Sequence, residues 1–128
     1  MVLRRSLLSV AVAAGLATSA PVLRAAAIEL EWDARGWMER ELIVPPNKFA
    51  EICGKLGPLQ SVQWRYEAHA PLDFNIHFHV GDKVEYPERQ DAQRMLSGTF
   101  RPTEERDYCW MWKNREATAV SLVIQLRL

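Results

Sequence analysis

Apolar and polar side chains alternate along much of this chain, and the alternation is cleanest from Asp73 to Val80. Successive side chains of an extended chain point to opposite sides, so this period of two predicts a β-strand with one buried and one solvated face. The face predicted to be buried carries Phe74, Ile76, Phe78 and Val80. The face predicted to be solvated, a candidate binding face, carries Asp73, Asn75, His77 and His79.

The same alternation recurs along the rest of the chain and predicts further short strands. The clear ones lie at 62–68, 108–114 and 120–128, and shorter ones lie at 28–32, 41–44, 83–86 and 98–101. Residues 47–56 fit a strand or one helical turn, and we favour a strand. Turn signals include Gly57-Pro58, Ala70-Pro71 and Gly81-Asp82, while the polar stretch 88–97 could hold a helical turn.

Seven or eight short strands without a long helix predict an all-β fold, an antiparallel β-sandwich that is jelly-roll-like. No linker, repeat or low-complexity tract divides residues 28–128, so we expect them to form one domain.

The first 27 residues have a different composition from the rest of the chain. Arg4 and Arg5 precede an apolar run from Leu7 to Ala17, three alanines end at Ala27, and no acidic residue occurs. This is the layout of a secretory signal peptide, and the apolar run is shorter than the roughly 20 residues of a membrane span. A retained N-terminal anchor is the alternative. We expect a periplasmic or secreted mature chain without a membrane span, exported by general secretion rather than by the twin-arginine route that Arg4-Arg5 would also fit.

The charge of the predicted mature chain argues against one class of partner. Without residues 1–27, 13 basic and 16 acidic residues remain, a net charge of −3. Binding to nucleic acid depends on neutralising phosphates with clustered basic residues. We therefore expect no nucleic-acid partner.

Several segments together resemble the GOLD domain, the β-sandwich of lumenal cargo receptors. The resemblance is carried by 64–79, Gly98-Thr99-Phe100, Tyr108-Cys109 with Trp112 and Asn114, and the alternating terminal strand. Those relatives continue into a coiled coil and a membrane span, which residues up to Leu128 do not include. The resemblance therefore implies a sandwich fold and a general binding role, but not cargo sorting.

The two cysteines, Cys53 and Cys109, suggest one disulfide, because an even count in an exported domain usually means pairing. The GOLD resemblance implies the same pair. Two free buried thiols or a metal-binding pair are the alternatives.

Two histidines on one strand face form a candidate metal site. His77 and His79 could bind copper or zinc through their imidazoles, and the thioether of Met111 would favour Cu(I). The alternative is two polar residues on a solvated face. A blue-copper centre is disfavoured, since no histidine follows Cys109.

The remaining candidate chemistry is sparse. Aromatic residues at alternate positions are more often core than a ligand platform, so we expect Trp64, Tyr108, Trp110 and Trp112 to be buried. The serines lie in no recognisable nucleophile setting, and we expect no enzyme activity and no cofactor, with bound copper as the alternative. The sequence thus favours an exported, non-catalytic binding module whose partner is an unidentified protein or envelope component. The alternative is a periplasmic copper-binding or copper-delivery protein that uses His77, His79 and Met111.

Overall fold

The computed structural model describes residues 27–128 together with Gly15, and the predicted signal peptide otherwise lies outside the described residues. Seven strands make up the ordered elements, so the all-β class is confirmed. They are β1 (Ala27–Glu29), β2 (Trp37–Val44), β3 (Phe49–Leu56), β4 (Val62–Val80), β5 (Lys83–Phe100), β6 (Arg106–Lys113) and β7 (Val120–Arg127). Within this described part, no helix has the length and apolar character needed to cross a membrane.

Strand β4 organises the sheet because it pairs with three others. It is one strand of 19 residues that continues through Ala70-Pro71 without a turn, so the turn predicted there is wrong. Residues 63–68 pair with β7 and residues 73–77 pair with β6, on the same edge of β4. Register shifts between Glu67 and Leu72 coincide with this change of partner. Proline, which lacks a backbone donor, is tolerated at such an irregularity.

Strand β5 follows β4 antiparallel over 18 residues, so the irregular stretch predicted at 88–97 is in fact extended. Among the described strands it pairs only with β4 and forms an edge. Most of its side chains are exposed on both faces, and an edge strand rich in charges resists pairing with other chains. Because neither face needs apolar residues, the alternation that reveals other strands is missing here.

The strands form a single curled sheet with two arms that diverge from β4. The first, here called the β6 arm, contains β6, β3 and β1 with residues 73–77 of β4, and the second, the β7 arm, contains β7 and β2 with residues 63–68 of β4. Neighbours are antiparallel except β1 and β3, which are parallel, so the sheet is mixed rather than purely antiparallel.

The inner faces of the two arms share one hydrophobic core. Trp64, Tyr108, Trp110 and Trp112 are all buried in it, which confirms the expectation that these aromatics are core. Contacts cross between the arms: the rings of Trp64 and Phe74 are 4.6 Å apart, and those of Tyr66 and Trp112 are 5.8 Å apart. The outer faces of the two arms are therefore two separate surfaces, and each carries a candidate site.

Candidate functional site

The outer face of the β6 arm carries the histidines, but it is less open than the sequence suggests. Asn75 and His77 are only 8% and 5% exposed, so the expectation of a solvated face at these two positions is wrong. Their neighbours explain the burial: Cys109 lies opposite His77 and Met111 lies opposite Asn75 in β6. On the β5 side, the Tyr86 ring lies 6.0 Å from the His77 ring.

His77 is fixed by two polar neighbours. Its Nδ1 lies 2.8 Å from Asn75 Oδ1, and its Nε2 lies 3.9 Å from Glu51 Oε2. Burial lowers the pKa of His77 below its usual value, and the neighbouring His79 lowers it further. His77 is therefore a neutral imidazole at neutral pH, the form that can bind a metal.

His79 and Met111, the other predicted metal ligands, lie on the same outer face. The rings of His77 and His79 are 5.3 Å apart, and His79 is exposed. Met111 is half-buried and lies opposite Asn75 on one side and Glu51 on the other. The structure thus brings the three predicted ligands to one surface.

Glu51 belongs to this cluster, although the sequence analysis did not single it out. Burial raises the pKa of its carboxyl group, and the nearby His79 opposes this rise. A signal for Glu51 was available in principle. Once Cys53 is paired with Cys109, the alternation along β3 places Glu51 on the same face as the disulfide and directly opposite Met111.

Cys53 and Cys109 are joined by a disulfide with an S–S distance of 2.02 Å, the pairing that the sequence favoured. They face each other directly across β3 and β6. The carboxylate of Glu51 lies close to both sulfurs. Because disulfide sulfurs carry no thiolate, these three residues do not form a metal site.

Asp73, the fourth member of the predicted binding face, is occupied by intramolecular contacts. Its carboxylate pairs with Arg115 and accepts a hydrogen bond of 3.0 Å from the Ala92 amide. Burial alone would raise the pKa of Asp73, but these two contacts outweigh burial and lower it. The Asp73 contacts hold β4 against β5 and the 114–118 turn, so they have a structural role.

A serine and a histidine also meet, at a site remote from this cluster. His69 Nδ1 accepts the Ser121 backbone N–H at 3.0 Å and lies 3.0 Å from Ser121 Oγ. A serine nucleophile needs a base that is free to take its proton and is oriented by a third group. Here the Nδ1 already accepts a backbone hydrogen bond, and His69 is exposed. The pair ties β4 to β7 rather than forming a catalytic dyad.

A groove of about 360 Å³ on the outer face of the β7 arm is the second candidate site. Trp37 lies at its border, 37% exposed, with the guanidinium carbons of Arg35 and Arg127 each 5.3 Å from its ring centre. Sequence reasoning missed Trp37, since it begins its strand directly after a turn. The residues that line the groove include no Asp or Glu and are Trp37, Gln63, Trp64, Arg65, Ser97, Gly98, Thr99, Gln125, Leu126 and Arg127.

The register of four strands builds this groove from two rows of polar side chains. Trp37, Arg127, Gln63 and Thr99 align across β2, β7, β4 and β5 in one row. In the next row, the Gln125 side-chain amide donates to Glu39 Oε2 at 2.8 Å. This surface thus combines the Trp37 ring, which has two guanidinium groups against it, with polar side chains that can form hydrogen bonds.

Comparison with known proteins identifies no family for this chain. No protein-family model matches it, and no curated protein does.

Several solved structures are similar, among them a lysozyme inhibitor, a designed protein and a mitogen. PliG, a periplasmic lysozyme inhibitor of g-type lysozyme from Aeromonas hydrophila, is 10% identical with a TM-score of 0.56, over 81% of this chain and 96% of PliG. A de novo designed double-stranded β-helix is 18% identical with a TM-score of 0.43, over 70% of this chain and 99% of the design. A mitogen derived from Yersinia pseudotuberculosis is 14% identical with a TM-score of 0.47, over 72% of this chain and 85% of the mitogen. At these identities the likeness to PliG shows a shared fold and nothing more.

Proposed function

We propose that this chain is an exported, non-catalytic binding protein that recognises an acidic segment of another protein through the groove beside Trp37. The observation that carries the proposal is the position of Trp37: the guanidinium carbons of Arg35 and Arg127 each lie 5.3 Å from its ring centre, and it lines a groove whose lining residues include no carboxylate. The neighbouring carboxylates of Asp33 and Glu39 are engaged with Arg35 and Gln125. Tryptophan, tyrosine and arginine are the residues that most often dominate the energy of protein interfaces, and here a tryptophan and two arginines lie together at a groove.

The two cation–π contacts fix the side chain of Trp37 before a partner binds. Cation–π contacts on the ring hold the side chain in place, which reduces the entropy lost on association. Arg65 and Arg127 supply positive charge inside the groove, and the glutamine, serine and threonine side chains supply donors for carboxylate or backbone oxygens. An acidic loop or strand of a partner is the complementary occupant.

The outer face of the β6 arm is a weaker candidate for a protein interface. Asn75 and His77 are buried and Asp73 is engaged with Arg115, so of the binding face predicted from the sequence only His79 is free to contact a partner. Tyr86 is exposed there by 44% and has Arg89 over its ring at 5.1 Å, but it lies on the edge strand rather than at a groove. Tyr86 therefore provides a matched control for Trp37.

Two further points support an exported binder. A disulfide fits an oxidising compartment such as the periplasm, and PliG, which shares this fold, is a periplasmic inhibitor that acts on a lysozyme. We also propose that the two arms of the curled sheet correspond to the two layers of a β-sandwich, and that the domain is GOLD-like. The absence of a nucleophile setting in the sequence supports a non-catalytic role.

Binding measurements on the full-length protein and on Trp37→Ala and Tyr86→Ala variants test this function. We would immobilise each protein, expose it to a purified g-type lysozyme and to periplasmic extract, and measure saturable binding of individual proteins by interferometry and mass spectrometry. We expect one partner whose affinity falls at least tenfold in Trp37→Ala, stays within twofold in Tyr86→Ala, and weakens with added salt because Arg65 and Arg127 contribute.

Circular dichroism would establish that both variants remain folded. Binding that survives Trp37→Ala, or that is lost equally in Tyr86→Ala, would contradict the assignment of the groove. A failure to bind any protein saturably from either source would contradict the binding role itself.

A further inference from the structure

The contacts of His77 leave two electron-pair acceptors facing each other. The Oδ1 of Asn75 can only accept a hydrogen bond, so the proton of the neutral imidazole lies on Nδ1, 2.8 Å away. The other ring nitrogen, Nε2, then presents a lone pair to the carboxylate of Glu51, with 3.9 Å between Nε2 and Oε2. Within residues 27–128, neither His77 Nε2 nor Glu51 Oε2 has a hydrogen-bond partner closer than 3.9 Å. Such a pair is stabilised by a cation placed between its members.

The separation suits a metal ion. Zinc binds imidazole nitrogen and carboxylate oxygen at roughly 2.0–2.2 Å in a tetrahedral arrangement, so its two ligand atoms lie roughly 3.4 Å apart. The 3.9 Å between Nε2 and Oε2 therefore has to close by about 0.5 Å. Both side chains are already largely withdrawn from water, with 7% of the His77 side chain and 20% of the Glu51 side chain exposed. Little rearrangement of these two groups is therefore required for coordination.

The support behind His77 is the kind found at metal sites. A ligating histidine usually donates its second ring N–H to an oxygen, which fixes the tautomer and the ring orientation. Asn75 provides that oxygen and is itself buried.

His79 can supply a third ligand from the solvent side once its side chain rotates. Its ring centre lies 5.3 Å from that of His77, and its exposed side chain can turn toward the gap between His77 and Glu51. Both imidazoles and the carboxylate then face one point, with the remaining positions open to water.

We propose that Glu51, His77 and His79 form a binding site for a divalent transition-metal ion, with Asn75 as the residue that orients His77. Two imidazoles and one carboxylate are ligands of Cu²⁺ and Zn²⁺, and Cu²⁺ binds the tighter of the two in most such sites. This ligand set differs from the one predicted from the sequence, because the carboxylate of Glu51 takes the place of the Met111 thioether. The site is independent of the groove beside Trp37.

Titration calorimetry of the full-length protein with Cu²⁺ and with Zn²⁺ tests the site. We expect one ion per chain, bound at least tenfold more weakly by Glu51→Gln and by His79→Ala, which change a partly exposed and an exposed side chain and should not disturb the fold. The matched control is His69→Ala, which removes an exposed histidine remote from the cluster and should leave the affinity within twofold. Met111→Leu should also leave it unchanged.

Nitrogen chemical shifts of the imidazoles give a second readout that does not depend on affinity. Before metal is added, His77 should show the proton on Nδ1, and diamagnetic Zn²⁺ should shift Nε2 of His77 and a ring nitrogen of His79. A proton on Nε2 of His77 would overturn the proposal, because the Glu51 contact would then be an ordinary hydrogen bond. Unchanged affinity in Glu51→Gln and His79→Ala, or a loss confined to Met111→Leu or His69→Ala, would overturn it as well.

Discussion

Asn114 is a fully buried polar residue whose side chain replaces several backbone hydrogen bonds at the edge of the core. Its Nδ2 donates to the carbonyls of Val44 and Thr118 at 3.0 and 2.8 Å, and its Oδ1 accepts from the Glu116 amide at 2.8 Å. The side chain therefore joins the end of β2 to the turn between β6 and β7, and both ends of that connection are lost if it is shortened.

We predict that Asn114→Ala lowers the free energy of unfolding by about 2–4 kcal/mol, because buried carbonyl and amide groups lose their partners. Urea unfolding followed by tryptophan fluorescence measures the change. Thr118→Ala is the control, since only the backbone carbonyl of Thr118 takes part, and it should have little effect. A loss below about 1 kcal/mol in Asn114→Ala would contradict the role given to this side chain.

Asp73 makes stability depend on pH in a predictable direction. Its pKa is lower in the folded protein than the usual 3.8, since its contacts with Arg115 and the Ala92 amide outweigh burial. A carboxyl group with a depressed folded pKa contributes stability above its unfolded pKa, and this contribution is lost as the pH falls through the folded pKa.

We therefore expect the wild-type protein to lose stability more steeply than Asp73→Asn, which cannot titrate, as the pH falls below the usual pKa of the carboxyl group. Unfolding by urea at a series of pH values provides the comparison, and at neutral pH the variant should be the less stable of the two. Parallel pH curves for the two proteins would show that Asp73 does not contribute in this way.

At the scale of strands, the disulfide links β3 to β6 across the β6 arm. It closes a loop over a sequence separation of 56 residues, and restricting the unfolded chain over such a loop stabilises a fold by roughly 4 kcal/mol. We expect the double variant Cys53→Ala/Cys109→Ala to be less stable by about that amount. Denaturation with and without a reductant measures it: the reductant should weaken the wild type and leave the variant unaffected. Equal stability of the oxidised wild type and the variant would contradict this estimate.

Gly98 of β5 lies directly opposite Trp64 of β4. A Cβ atom there would lie 2.8 Å from the ring of Trp64, which is buried and has little room to move. We predict that Gly98→Ala costs about 1–3 kcal/mol through overpacking, and that combining it with Trp64→Phe makes the two changes less than additive. Gly57→Ala is the control, because the nearest atom to its added Cβ would be 3.9 Å away. Full additivity in the double variant would argue against a clash with Trp64.

The strands that the sequence predicts well are those with one face in the core and the other face outside it. In β6 and β7 one face is core and the other is not, so a period of two identifies them. The alternation fails in β5, which is exposed on both faces, and the Ala70-Pro71 turn signal misleads because β4 changes partners there without turning. The first error comes from the exposure of both faces of an edge strand, and the second comes from pairing of β4 with the distant strands β6 and β7, which a local pattern does not contain.

The same non-local contacts determine the candidate sites in the whole molecule. The sequence places His77, His79 and Met111 on one face, but the burial of His77 depends on which β6 residues lie opposite it. Glu51 joins the cluster from β3, and the Trp37 groove requires β2, β7, β4 and β5 to align. Alternation thus predicts which residues share a face, and only strand order predicts which faces become sites.

Site-specific photo-crosslinking in the intact envelope tests most directly whether the molecule binds a protein through its β7 arm. A photoreactive amino acid would replace either Thr99, within the groove, or Tyr86, on the edge of the other arm. We predict a single discrete protein adduct from position 99, absent from position 86, and abolished when Trp37→Ala is added. Adducts of equal yield from both positions, or an adduct at position 99 that persists in the Trp37→Ala background, would contradict the account.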